Sequence, residues 1–228
     1  GLRVVTCCYD LIPALFPQYC VGDVARYFKD YFYNLGWGSD LVLCISECSR
    51  NDFLTLMEQM AIPAPRTEVI ELGDTIAEIS EDDLALDYIM SSDDVDTKVK
   101  RILSEDYLLF VSTIERRKNH EVLYRAYHLL CAQGHKDLPK LVFVGMQGWG
   151  VQDLMSDMQL DPLVKDQIIC LNHVSDEELA ALYHHALFCL YPSLYEGWGL
   201  PVAEALSVGQ LVLSSNRGSL PEVGGDLV

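Results

Sequence analysis

The stretch that decides the fold is Leu187-Phe188-Cys189-Leu190-Tyr191-Pro192-Ser193-Leu194-Tyr195-Glu196-Gly197-Trp198-Gly199-Leu200-Pro201-Val202-Ala203-Glu204-Ala205-Leu206. Leu187 to Tyr191 is a short apolar run with the composition of a strand. Gly197 and Gly199 then allow a tight turn, and Pro201 stands where the first residue of a helix belongs. A helix entered this way starts with unpaired N–H groups, which seat a phosphate without side-chain charge. Glu196 falls just before the helix and Glu204 about one turn inside it, so both carboxylates can look toward that seat. There they would accept from hydroxyls beside the phosphates. The plainer alternatives are a first-turn acid favoured by the helix dipole for Glu204 and a solvated loop acid for Glu196.

Outward from this stretch the same alternation repeats. Strand-like runs at Tyr107 to Val111, Leu141 to Val144, Ile168 to Leu171 and Leu211 to Ser214 are separated by helical patterns at Asn119 to Gln133, Val151 to Gln159, Asp176 to Ala186 and Pro201 to Ser207. Strand and helix in alternation imply right-handed crossovers and a parallel sheet covered on both faces. In the helix opened by Asn119, a candidate N-cap, Val122, Leu123, Ala126, Tyr127, Leu129 and Leu130 fall on one face and are expected in the core. Ligands of such sheets bind beyond the carboxyl ends of the strands, which directs attention to the loops after Val111, Val144, Leu171, Tyr191 and Ser214.

Residues 71–106 hold twelve acids against Lys98, Lys100 and Arg101, half of the net charge of −18. This reads as a solvated, loosely structured connector. Upstream, a strand at Leu2 to Cys8, a helix around Val21 to Leu35, a strand at Leu41 to Ile45, a helix from Ser46 to about Met60 and an apolar piece at Thr67 to Leu72 read as part of another α/β domain. The expected organisation is therefore 1–72 as part of one α/β domain, 73–105 as acidic linker and 106–228 as a Rossmann-like domain. With Gly1 in place of an initiator Met, and Val228 ending an unfinished pattern, a piece of a longer chain is expected.

Half of the 228 residues are hydrophobic and 22% charged, which excludes a disordered chain, and an excess of 34 acids over 16 bases argues against polynucleotides and anionic lipid as partners. No run approaches the roughly 20 apolar residues of a membrane span. The eight cysteines include no C-x-x-C pair; Cys7, Cys8, Cys44, Cys170 and Cys189 lie in strand-like runs and are expected as buried thiols, which suits a reducing cytoplasm.

The loop Ser112-Thr113-Ile114-Glu115-Arg116-Arg117-Lys118-Asn119 sets three successive cations at a strand's carboxyl end, placed to neutralise a diphosphate; the alternative is a solvated basic turn paired with nearby acids. Together with Leu141-Val142-Phe143-Val144-Gly145, His173-Val174-Ser175-Asp176-Glu177-Glu178-Leu179, the Pro192 to Ala205 stretch and Asn216-Arg217-Gly218-Ser219-Leu220-Pro221-Glu222-Val223, this pattern resembles the retaining GT-B glycosyltransferases of family 4. The resemblance covers nearly everything from Tyr107 onward. More weakly, Tyr9-Asp10-Leu11-Ile12-Pro13 and Ile45-Ser46-Glu47-Cys48-Ser49-Arg50 resemble that family's acceptor-side domain. The implied fold is GT-B-like α/β.

The resemblance implies that Arg117 and Lys118 contact the donor diphosphate, that Glu196 faces the donor sugar and that Glu204 faces the ribose hydroxyls. It implies backbone amides to sugar and phosphate from Gly197, Trp198, Gly199 and Leu200, and a nucleobase lying against His173 and Val174. Ser112 stands in the donor site where many members have Gly, and Tyr9 replaces a His that often precedes Asp10. The implied activity is transfer of a hexosyl group, mannose among the candidates, from a GDP- or UDP-hexose to a saccharide or lipid-linked saccharide, with retention, in polysaccharide or glycoconjugate biosynthesis. No cofactor and no metal are expected, and the longer parent is expected in the cytoplasm or at the inner face of the membrane. Two rival readings are a nucleotide-sugar-binding module without catalysis and a GT-B sugar-nucleotide epimerase.

His120 and His184-His185 sit in helical patterns without spaced partners and are expected to pack or face solvent. Asp94-Val95-Asp96 spells the metal-binding signature of GT-A transferases, but it falls in the acidic connector rather than at a strand end. No nucleophile elbow or Walker-type Gly-Lys-Ser/Thr occurs.

Overall fold

The computed structural model describes residues 2–73, 84 and 86–227. The chain divides into two compact units: Gly1–Gly73 with Leu194–Leu200 and Asn216–Asp226, and Asp74–Ser193 with Pro201–Ser215 and Leu227–Val228. Both are α/β.

In the first unit β1 (Val5–Cys8), β2 (Leu41–Cys44) and β3 (Arg66–Val69) form a parallel sheet in that order, with Cys8 opposite Cys44 and Cys44 opposite Val69. A short helix α1 (Ile12–Leu15) follows β1; α2 (Val24–Gly38) and α3 (Glu47–Gln59) flank β2. Alternate strand residues meet helix residues at 3–4 spacing in one core of Leu11, Phe32, Val42, Cys44, Phe53 and Met57. The loop residues 194–200 and the short helix α10 (Leu220–Gly224) complete the unit.

The second unit holds five parallel strands: β4 (Tyr107–Val111), β5 (Lys140–Val144), β6 (Ile168–Leu171), β7 (Phe188–Tyr191) and β8 (Val212–Ser214). Their order is β6-β5-β4-β7-β8, so the sheet grows one way from β4 and then reverses, putting the topological switch point between β4 and β7. The crossovers are α6 (His120–Ala132), α7 (Gln152–Leu160), α8 (Asp176–His185) and α9 (Leu200–Ser207). Leu109, Phe110, Leu141, Val142 and Phe143 are fully buried, as expected of central strands covered on both sides, and Leu182 of α8 and Val202 of α9 are buried with them.

Several expectations are corrected. The connector is not unstructured over its described part: α4 (Leu86–Ser91) and α5 (Thr97–Leu103) form there, and α5 buries Val99, Ile102 and Leu103. Asp74, Glu78, Glu81, Asp82 and Asp83 lie outside the described residues. Asp96, of the Asp-x-Asp signature, caps α5 by accepting from the Lys98 N–H at 2.6 Å, and its own N–H donates to the buried Glu178 at 2.7 Å. Glu178 is also the N3 partner of Ser175 in the capping box of α8.

On α6 only Tyr127 and His120 are buried; Leu123 and Leu130 are half-buried, and Val122, Ala126 and Leu129 are exposed. The exposed three lie about 100° or more round the helix from Tyr127, beyond the strip that a sheet can cover. Asn119 stands at the N-cap position with φ +63°, but its side chain does not cap. Among the expected buried thiols, Cys8, Cys44 and Cys189 are buried, Cys7 is half-buried and Cys170 is exposed, because β6 is an edge strand. Cys7, Cys8, Cys44, Cys48, Cys131, Cys170 and Cys189 are free thiols.

Candidate functional site

The carboxyl ends of β4 and β7 meet at the switch point, and the second unit's polar groups gather there. The loop after β4 runs into a 3-10 turn, Arg116–Lys118. The Lys118 Nζ donates to the Tyr191 hydroxyl at 3.0 Å and stands 5.4 Å from the centroid of that ring, at the last residue of β7. The Asn119 side chain donates to the Pro192 carbonyl at 3.1 Å. Two successive residues of the first loop thus grip two successive residues of the second. The left-handed backbone at Asn119, a conformation asparagine tolerates, makes the grip possible.

The three cations are not equivalent. Arg117 donates to Glu115 Oε1 at 2.8 Å, with both side chains largely buried, so its charge is offset from within the loop. The three cations therefore differ in surroundings: Arg116 is exposed, Arg117 is paired within its own loop and Lys118 is directed at Tyr191. Ser112 is buried; its Oγ lies 3.4 Å from His120 Nε2, and its N–H donates to the Val144 carbonyl at 2.9 Å. His120 packs against Phe110 and Phe143, at 4.4 and 4.8 Å between ring centroids. Burial, then the neighbouring Lys118, lowers its pKa to about 3, so the ring is neutral.

Glu204, in the first turns of α9, is half-buried, and its Oε2 accepts from the hydroxyl of the buried Tyr183 at 2.9 Å. Burial raises the Glu204 pKa, the Tyr183 bond lowers it by less, and the net shift is upward. Tyr183 is itself held well above its ordinary value, first by burial and then by the Glu204 charge. Tyr183 lies on α8, 21 residues before Glu204 in sequence, so no local pattern announces the pair. His173 is exposed with φ +58°, and Val174 is half-buried; they lead from β6 to the capped start of α8.

In the first unit the loop Leu194–Leu200 carries Glu196, Gly197, Trp198 and Gly199. Glu196 and Trp198 are buried, at 6% and 8% exposure, and Leu200 is 40% exposed. Gly197 fits only as glycine, since a Cβ there would come within 2.6 Å of the Asp10 Cβ and 2.8 Å of the Tyr9 carbonyl oxygen. At Gly218, φ +61°, a Cβ would meet the Glu196 backbone at 2.4 Å. The Tyr195 hydroxyl donates to Asp52 Oδ2 at 2.5 Å and stands 3.2 Å from the Cys48 sulfur, with Phe16 against its ring. Asp10 accepts from the Ile12 N–H at 2.9 Å and so starts α1, while Tyr9 is exposed. Beside them is a cavity of about 500 Å³ lined by Tyr9, Asp10, Pro13, Tyr27 and Tyr31.

Sequence reasoning missed Tyr191 and Tyr183 as partners of Lys118 and Glu204, while the Arg117–Glu115 pair is the nearby-acid alternative stated for the basic loop. Among the described residues no group of three or more His, Cys, Asp or Glu could hold a metal ion, and no helix is long and apolar enough to cross a membrane.

Residues 92–228 match the sequence profile described as Glycosyl transferases group 1. The chain is 33% identical over 227 residues to O-antigen chain mannosyltransferase B of Escherichia coli, covering 98% of this chain and 56% of that protein. It is 31% identical over 232 residues to the serotype-specific mannosyltransferase WbdA of Escherichia coli, covering 98% of this chain and 26% of that one. The chain thus spans about half, or less, of the length of these relatives. In fold it is similar to Anabaena HepE, solved with UDP and glucose, at TM-score 0.69 and 18% identity over 96% of this chain and 55% of that one. It is equally similar to sucrose-phosphate synthase from Thermosynechococcus elongatus, at TM-score 0.69 and 19% identity over 97% and 53%. Both likenesses bear on the fold alone, α/β as in GT-B glycosyltransferases.

Proposed function

Because the chain belongs to the glycosyl transferases group 1 family, we propose that it binds a nucleotide-diphospho-sugar and serves the transfer of its glycosyl group to a saccharide hydroxyl. The observation that carries the reading is the pairing of Lys118 with Tyr191 across the switch point, where sheets of this topology take their ligands. Lys118 supplies a cation for the diphosphate, and the Tyr191 hydroxyl fixes its direction. Glu204, aligned by Tyr183, accepts from the ribose hydroxyls, and His173 and Val174 lie along the base. Glu196 faces the sugar, with backbone amides of Gly197, Trp198 and Gly199 as donors.

In the transfer the bond from the sugar C1 to the diphosphate oxygen breaks and a bond from C1 to the acceptor oxygen forms. The acceptor proton passes to the departing diphosphate, the nearest base when the new bond forms on the face the diphosphate leaves. Retention of configuration follows from that geometry and rests on the family resemblance. Lys118 and the α9 amides stabilise the charge on the leaving group in place of a divalent ion. The mannosyltransferase relatives support mannose as the sugar and a bacterial surface polysaccharide as the product. On the acceptor side, the first-unit cavity offers the rings of Tyr9, Tyr27 and Tyr31 to the apolar face of a pyranose and Asp10 to a hydroxyl. We place the protein in the cytoplasm or at the inner face of a membrane.

Incubation with GDP-mannose, UDP-glucose and UDP-N-acetylglucosamine, reading the melting temperature and then released nucleoside diphosphate, tests the reading. One donor is expected to raise the melting temperature and be turned over; no shift with any donor removes the proposal. The chain's span of about half its relatives' length favours a second reading, a donor-binding piece silent by itself, which a shift without turnover supports.

A further inference from the structure

The loop Leu194–Leu200 has an unusual hydrogen-bond pattern: three successive carbonyls are taken, while the N–H groups that follow them are not. The Gly197 carbonyl accepts from Ser46 Oγ at 2.9 Å, with Ser49 Oγ at 3.2 Å. The Trp198 carbonyl accepts from Ser219 Oγ at 2.7 Å, and the Glu196 carbonyl from the Ser219 N–H at 3.2 Å. Each hydroxyl has one proton to give. Ser46 Oγ is equally near the Gly197 carbonyl and Ser49 Oγ, at 2.9 Å, and serves Gly197 directly when Ser49 gives its own proton to the Tyr9 carbonyl at 3.1 Å; Ser219 gives its proton to Trp198, its shortest contact. The three carbonyls are thereby satisfied without sharing. Among the described residues, no protein group accepts from the N–H of Gly197, Trp198 or Gly199, and the Trp198 Nε1 is buried without a partner.

A trans peptide is planar, with its N–H directed opposite its C=O. Fixing the carbonyls of Glu196, Gly197 and Trp198 against serines therefore turns the N–H groups of Gly197, Trp198 and Gly199 away from those serines. The serines are themselves braced. Ser46 is the N-cap of α3, and its Oγ accepts from the Ser49 N–H at 2.9 Å. Glu222 on α10 accepts from the N–H groups of Glu47 and Cys48 at 2.6 and 2.7 Å, tying the start of α3 to the segment that bears Ser219. One turn further along, Asp52 holds the Tyr195 hydroxyl.

We propose that Ser46 and Ser219 are positioning residues which hold the carbonyl side of the Glu196-Gly197-Trp198-Gly199 loop, so that its amides are set in advance to donate to the ligand. The assignment rests on the glycosyl-transfer reading for what the amides meet, but not for the geometry. Presetting removes the ordering of three peptide units from the reaction step, so its loss lowers kcat more than it raises KM.

The test compares wild type with Ser219→Ala, Ser219→Thr and Ser46→Ala by amide hydrogen exchange of residues 194–200 without ligand, and by transfer kinetics with the donor selected in the thermal-shift panel. Exchange through the loop is expected to quicken tenfold or more in both alanine variants, kcat to fall about tenfold with KM changed less than threefold, and Ser219→Thr, which keeps the hydroxyl, to return toward wild type. Since Ser46→Ala also uncaps α3, exchange of residues 47–53 is read alongside; a Ser219→Ala effect confined to the loop supports positioning. Unchanged loop exchange overturns the assignment, and so does quickened exchange with wild-type kinetics. A wild-type chain that binds no sugar nucleotide fails the functional reading, while the exchange results still decide the clamp.

Discussion

Lys118 is the residue on which most depends, and its contact with Tyr191 gives it a fixed direction. Lys118→Ala is expected to weaken donor binding by about tenfold or more, the scale of one hydrogen bond to a charged group. Tyr191→Phe, which keeps the ring and removes only the hydroxyl, should weaken it by severalfold; equal affinity for wild type and Lys118→Ala in calorimetry would take Lys118 out of the site. Glu204 makes a different prediction. Burial raises its folded pKa above the ordinary 4.5, so the folded state favours the protonated acid. Stability from that preference is present below the unfolded value and is lost as pH rises through the raised one. Glu204→Gln, which can still accept from Tyr183, should therefore melt higher than wild type at pH 8, with the gap closing toward pH 4. His120 has the opposite sign: its folded pKa of about 3 lies below the unfolded 6.5, so its contribution is present above pH 6.5 and is lost as pH falls toward 3. His120→Phe should flatten the acid limb of a urea-midpoint profile. The sequence gives Lys118, Glu196 and Glu204 as candidates because they lie in short patterns tied to one strand or helix. It hides Tyr183, because that partner's identity depends on which side chains the fold makes neighbours, whereas Glu115, two residues from Arg117, is the nearby acid that the alternative reading of the loop allows.

At the scale of elements, strands and helices were legible because their apolar periods are regular. The runs read at 107–111 and 168–171 are β4 and β6 residue for residue. Periodicity counts apolar residues without saying how wide a strip is covered, so it points Val122, Ala126 and Leu129 toward the core although they are exposed. Asn119 shows a second limit: the residue type signals a cap, yet its amide reaches Pro192, a contact created by the adjacency of β4 and β7. The α3 start is capped twice, by Ser46 and by Glu222. Glu222→Ala should lower stability by about 1 kcal/mol, the usual scale of a lost cap, read as a shift of the urea midpoint at constant slope. Phe143→Ala, in the centre of the second unit, should cost about 3–5 kcal/mol by the same measurement.

For the whole molecule, a net charge of −18 leaves local structure to supply any affinity for phosphate. Donor affinity should therefore change little between 50 and 300 mM NaCl, whereas stability should rise as self-repulsion is screened. If Lys118 and the α9 amides carry the leaving charge, EDTA leaves turnover unaltered; loss of turnover restored by Mg²⁺ or Mn²⁺ would contradict that part of the mechanism. The division into two units was only partly legible. Both α/β rhythms can be read along the chain, but no pattern announces that residues 194–200 and 216–226 belong with the first unit, because that grouping is made by Ser46, Ser49 and Glu222, contacts distant in sequence. The central claim is that an activated sugar is seated through Lys118, and it is tested most directly by titrating GDP-mannose calorimetrically into wild type and Lys118→Ala in parallel. The account predicts saturable one-to-one binding to wild type and at least tenfold weaker binding to the variant; indistinguishable isotherms, or no binding to wild type, would contradict it.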